Sequence, residues 1–99
     1  VKAATDILGD KWTPRLLREL ANHGPLRFGA LQTQVAGINP RTLSARLDFL
    51  EERKIITRHS YSEVPPRVEY SLTEKGASLW PILSQMCDWG AKYGSEPCL

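Results

Sequence analysis

Asn39-Pro40-Arg41-Thr42-Leu43-Ser44-Ala45-Arg46 gathers the side chains of this chain best suited to read a polyanion. An arginine fork matches the two acceptors on a guanine edge, and serine or threonine hydroxyls bond bases or phosphates. Alanine lets the backbone approach or touches a thymine methyl. The segment also starts a helix, expected over about 39–53. Asn39 is a good N-cap, since its side-chain oxygen can accept from the free amides of the first turn. Pro40 loses nothing at the first helical position. Leu43, Leu47 and Leu50 share one face, with Arg41, Ala45, Asp48 and Glu52 roughly opposite and Thr42 and Ser44 on the flanks. The basic and hydroxyl groups fill the first half of this helix, while Asp48, Glu51 and Glu52 fill the second. Such a helix would push its first half into a DNA groove and keep the acidic half off the phosphates. Arg46 lies nearer the leucine side, so a phosphate contact or an ion pair within the fold is expected of it rather than base reading.

The rest of the chain supplies the supports for that helix. Lys2 to Leu8 reads as a short helix ending at Gly9, and Thr13 and Pro14 as the cap and first turn of a second. Leu16, Leu17 and Leu20 give the second helix its buried face, and it stops near His23-Gly24-Pro25. Trp12 is expected between these two helices. Leu26-Arg27 is long enough for one rung of a sheet. A third helix follows with Phe28, Leu31 and Val35 on one side, and Arg27 near its start is placed to meet a phosphate. Ala36-Gly37-Ile38 then makes a tight connection into the opening helix, which is the helix-turn-helix pattern.

After Lys54 the period changes. Ile55 to Tyr61 and Val68 to Leu72 read as paired strands around a stiff loop holding Pro65 and Pro66. This hairpin, about 55–72, is a wing, with Arg58, His59 and Arg67 as its cationic or potentially cationic groups. Arg67 could enter a minor groove, where narrow A-tracts concentrate negative potential. Thr73 caps a last helical region, about 74–93, in which Trp80-Pro81 predicts a kink. Leu79, Ile82, Leu83, Met86, Trp89 and Tyr93 make its apolar stripe wider than a small domain needs. A homodimer seam shared with the first helix is expected there.

The bulk numbers fit one globular domain over 1–99, mainly α with a small β-hairpin. No apolar run approaches the roughly 20 residues of a membrane span, and no signal-peptide pattern opens the chain. Val1 is not expected to be a natural first residue. The net charge of +2 says little by itself, but residues 1–67 carry eleven Lys/Arg against seven Asp/Glu, and residues 68–99 carry two against four. That bias suits one face toward a polyanion and a tail turned away. Each of these charges taken singly reads equally well as a solvated surface group.

No catalytic constellation, metal-ligand spacing or phosphate-cradling glycine loop stands out, so neither an enzyme nor a cofactor is expected. Cys87 and Cys98 make no disulfide framework, and a reducing cytoplasm is the default reading.

Gly9-Asp10-Lys11-Trp12-Thr13, Leu26 to Leu31, Ile38 to Leu47 and Glu63 to Gly76 together resemble the HxlR-type bacterial winged-helix transcription regulators, relatives of the MarR regulators. The likeness runs from about Ala3 to Tyr93. It implies a homodimer held by the first and last helices on a (pseudo)palindromic operator. Asn39 to Arg46 would then read the major groove, and Arg67 would lie on the wing. Many members carry a sensing cysteine just before the first helix, a point that precedes this sequence. Cys87 could serve as a redox sensor, although a buried, inert cysteine is the stronger reading, and Cys98 is expected to be accessible.

The sequence thus predicts a transcription regulator that binds double-stranded DNA as a homodimer, without membrane association. The alternatives are a sensor of oxidants or small molecules whose DNA binding is the output, and a winged helix used as a protein-interaction module.

Overall fold

The structure is a computed structural model and describes residues 1–94. Helix α1 (Lys2–Leu8) turns Ile7 and Leu8 into the core and ends at Gly9. Helix α2 (Thr13–His23) buries Leu16, Leu17 and Leu20 and ends at Gly24, whose φ of 72° favours glycine. Leu26 makes the single expected rung, exchanging backbone bonds of 3.0 and 2.8 Å with Tyr70. Helix α3 (Phe28–Gln34) and helix α4 (Pro40–Glu52) follow, joined through Gly37 at φ 91° and the buried Ile38. Leu43, Leu47 and Leu50 are almost fully buried, each worth about 2 kcal/mol over exposure.

Strands β1 (Ile56–Tyr61) and β2 (Arg67–Leu72) pair antiparallel from Ile56 opposite Leu72 to Tyr61 opposite Arg67. Side chains alternate between faces along each strand, and Ile56 is the residue of β1 buried in the core. The whole is a mainly helical winged helix-turn-helix with a two-stranded hairpin.

The expected single kinked terminal helix is instead two helices, α5 (Glu74–Ala77) and α6 (Trp80–Tyr93). Pro81 has no N–H to offer the Ala77 carbonyl, so the helical ladder stops and restarts at Ser78-Leu79. Thr73 caps α5 as expected, its hydroxyl accepting from Gly76 N–H at 3.0 Å. Among the described residues no helix is long and apolar enough to cross a membrane.

Candidate nucleic-acid interface

The exposed end of α4 is fixed from both ends of its first turn. Asn39 Oδ1 accepts from Thr42 N–H at 2.8 Å, and the buried leucines roll the opposite face outward. Pro40, Arg41, Ser44 and Ala45 are exposed and Thr42 half-exposed, so a fork cation, hydroxyls and a methyl share one protruding surface. Arg41 has no ion pair among the described residues.

Arg46 takes a different path. Its Nη2 lies 2.9 Å from Asp10 Oδ2 and donates to Thr13 Oγ1 at 3.1 Å, and its guanidinium lies 4.4 Å from the centre of the Phe49 ring. Of the two roles open to Arg46 in the sequence, this structure holds it in the ion pair within the fold. It therefore leaves the set of free DNA-facing cations. Asp10 also accepts from the Trp12 and Thr13 amides at 2.7 and 2.8 Å and from the Thr13 hydroxyl. Partial burial pushes its carboxyl up, but the bonds from Thr13 and Trp12 and the Arg46 charge outweigh this and hold it below its ordinary 3.8. The start of α2 thus differs from expectation. Thr13 is its first helical residue, fully buried, and Asp10 supplies the capping oxygen.

Trp12 was expected between α1 and α2. It is half-buried, with the Lys11 amine 4.8 Å and the Arg15 guanidinium 5.6 Å from its ring centre. A Cβ on Gly37 would sit 3.8 Å from Trp12 Cη2, so the indole edge rests against the turn between α3 and α4.

On the wing, Arg58 is exposed. Arg67 is less free than the sequence suggests. Its guanidinium stacks on Tyr61 at 3.9 Å, and its Nε lies 3.1 Å from Glu63 Oε2, within ion-pair distance but off the line of a good hydrogen bond. A hydrogen bond to the Glu69 carboxylate pushes the Tyr61 phenol up, and the His59 ring meets Tyr61 edge-on at 4.4 Å. Arg27 is exposed at the N-cap of α3.

The terminal apolar stripe divides. Leu79 and Leu83, expected at a seam between copies, are buried in the chain's own core. Ile82, Met86, Trp89 and Tyr93 form a separate exposed stripe at helical spacing; Trp89 and Tyr93 remain 65% and 64% exposed. Beside it opens a cleft of about 280 Å³ lined by Val1, Ala4, Thr5, Leu8, Gly9, Ile82 and Met86. Cys87, expected to be a buried inert thiol, is half-buried and is not a free thiol. Cys98 lies outside the described residues.

The description of HxlR-like helix-turn-helix proteins matches residues 7–97. The chain belongs to that family. An HTH-type transcriptional regulator of Methanothermobacter thermautotrophicus is 45% identical over 96 residues, 97% of this chain and 72% of the relative. The redox regulator HypR in its oxidised form superposes with a TM-score of 0.84 at 38% identity, covering 92% of this chain and 93% of HypR. The reduced form of the transcriptional regulator YodB from Bacillus subtilis gives 0.84 at 32% identity, covering 93% and 89%. The protein is thus a transcription regulator with a DNA-binding helix-turn-helix.

Within this HxlR-like fold, the motif around Thr73-Glu74-Lys75-Gly76 proves to be a clasp on the far end of α4. Thr73 N–H donates to the Ile55 carbonyl at 3.0 Å, and its hydroxyl reaches the Lys54 and Ile55 carbonyls at 2.6 and 3.0 Å. Lys75 Nζ donates to the Arg53 carbonyl at 2.9 Å. Gly76 must lack a side chain, because a Cβ there would fall 2.1 Å from the Ile55 oxygen. Sequence reasoning missed Lys75, Gly76, Asp10 and Glu63 as supports. Their long-range partners lie too far along the chain for helical or strand periodicity to register; the local bonds of Asp10 to Trp12 and Thr13, and of Glu63 to Arg67 four residues on, fall in loops. The motifs that carried the family resemblance were the available signal.

Proposed function

We propose that this regulator binds a (pseudo)palindromic operator as a homodimer, one copy of α4 entering the major groove at each half-site. The observation that carries this reading is the exposed Arg41, without an ion pair among the described residues, beside Ser44 and Ala45 on a helix anchored by three buried leucines. Arg41 would take a guanine edge bidentately, Thr42 and Ser44 a base or phosphate, and Ala45 a thymine methyl. Asn39 and Pro40 would set the approach of the first turn, and Arg27 and Arg58 would meet the backbone. Arg67, stacked on Tyr61, would reach the flanking backbone or minor groove as phosphate competes with Glu63. The acidic Asp48, Glu51 and Glu52 stay outside the groove. A protein that acts on DNA in this way works in the cytoplasm.

The stripe of Ile82, Met86, Trp89 and Tyr93, with the apolar cleft against α1, would pair two copies. Large aromatics exposed in a row favour this, since each can bury about 150–250 Å². Selection of bound duplexes from a random pool tests the reading. It should enrich two related half-sites about 10 base pairs apart or a multiple of that spacing. Enrichment of no sequence would defeat it.

A second reading, a redox-responsive regulator, is favoured by the likeness to HypR, whose oxidised form is named a redox regulator. A change in affinity for the selected duplex between reducing and oxidising buffer, seen in the wild type and lost in Cys87→Ser, supports it. Identical behaviour of the two proteins removes Cys87 from any such role.

A further inference from the structure

The corner Gly9 to Thr13 touches the reading end of the helix-turn-helix at two separate places. Trp12 rests on the Gly37 turn, two residues before the Asn39 cap. Asp10 and Thr13 grip Arg46, 33 positions on from Thr13 and on the second turn of α4. Asp10 is itself held rigidly, taking two backbone amides and a hydroxyl besides the arginine. The carboxylate and the guanidinium are each less than one-third exposed, at 29% and 23%. Gly9, the preceding residue, lines the cleft between α1 and α6.

We propose that Asp10 is a positioning residue for DNA reading: through Arg46 it sets the roll and tilt with which α4 presents Arg41, Ser44 and Ala45, and so ties the reading helix to the α1–α2 corner. This rests on the DNA-reading function proposed above. The physical reason is leverage. The leucine stripe fixes which face of α4 is buried, but apolar contacts are non-directional and tolerate small rotations. Arg46 Nη2 alone meets both the Asp10 carboxylate and the Thr13 hydroxyl, and a charge-assisted contact of this kind between two rigid elements is directional. Arg46 follows Ala45 directly, so a clamp on its guanidinium constrains the rotation of the neighbouring surface positions.

If Arg46 were a phosphate contact merely masked by Asp10, removing the acid would free a cation and tighten binding to every duplex. If Asp10 positions α4, removing it weakens sequence-specific binding while hardly touching non-specific binding. The experiment compares wild type, Asp10→Asn and Arg46→Lys at fixed salt on the duplex selected by the wild type and on a scrambled duplex of equal length. Circular dichroism confirms folding of each protein. Asp10→Asn is expected to lose on the order of fivefold in affinity for the selected duplex, with the scrambled duplex bound within about twofold of wild type and the salt slope unchanged. Arg46→Lys keeps the charge but loses the planar guanidinium whose Nη2 spans Asp10 and Thr13, so it should show the same selective loss.

Tighter or unchanged binding of the selected duplex by Asp10→Asn overturns the positioning role. So does an equal loss on both duplexes. Should Asp10→Asn fail to fold, Arg46→Lys decides: wild-type affinity for the selected duplex overturns the proposal, and a loss confined to it upholds the proposal. A wild type that enriches no duplex defeats the DNA-reading function, and this role with it. A wild type that does, alongside an indifferent Asp10→Asn, defeats the clamp alone.

Discussion

Substituting Gly76 by alanine puts one methyl group into the tightest backbone approach of the fold. The new Cβ would lie 2.1 Å from the Ile55 carbonyl oxygen and 3.2 Å from Ile55 Cγ2. A carbon and a carbonyl oxygen settle no closer than about 3.3 Å, so α5 must move about 1 Å away from the end of α4. That movement stretches the Thr73 amide and hydroxyl bonds to Ile55 and Lys54 and the Lys75 bond to Arg53. The three donors, the hydroxyl sharing its one proton between two carbonyls, are worth about 1 kcal/mol each. Replacing a helical glycine by alanine returns about 0.5–1 kcal/mol. The net expectation is a destabilisation of about 2 kcal/mol, which in a domain this small lowers the melting temperature by roughly 8–16 °C. Calorimetry or chemical denaturation of wild type and Gly76→Ala reads this directly. An alanine variant as stable as the wild type would show that the clasp is not rigid and refute the reasoning.

Three further outcomes follow from the same contacts. Met86→Glu and Trp89→Glu should leave the fold intact, since both side chains are more than half exposed, yet weaken self-association by about 2 kcal/mol each; Leu83→Ala should instead destabilise the monomer by about 2–5 kcal/mol, and sedimentation with thermal melting separates the two classes. Asn39→Ala removes the side-chain acceptor of the α4 first turn and should cost about 1 kcal/mol of stability. Because the folded state holds Asp10 below its ordinary 3.8, the unfolded chain protonates first on acidification. The stability Asp10 contributes is therefore present above that value and lost as pH falls through it and past the lower folded one. The difference in melting temperature between wild type and Asp10→Asn should be constant near neutrality and shrink as pH falls below 3.8; a difference that persists unchanged throughout the acid limb contradicts the ion-pair origin.

How much of this was legible depends on the range of each interaction. Asn39-Pro40 and the leucines at 43, 47 and 50 specify α4 through contacts within two turns, and the observed helix, Pro40–Glu52, begins and ends within a residue of the expected span. The same holds for Leu26, whose short run left room for one rung and makes one. Apolar periodicity failed where two surfaces share one helix. It could not separate Leu79 and Leu83, which fill the core, from Ile82, Met86, Trp89 and Tyr93, which face outward, because hydrophobicity marks burial without saying by what. Ion-pair geometry was equally hidden. Arg46 read as either a phosphate contact or an internal ion pair until the fold brought Asp10 to it, and Arg67 read as a free cation until the loop between the strands turned Glu63 toward it.

Sequence-specific binding turns on Arg41, the exposed cation at the front of α4 that has no ion pair among the described residues. The most direct test is the affinity of Arg41→Ala for the duplex selected by the wild type, measured at one salt concentration alongside single-base variants of each half-site. Direct reading predicts a loss of about 1–3 kcal/mol, together with relaxed preference at one base pair per half-site. Unchanged affinity with the preference intact at every position would contradict it.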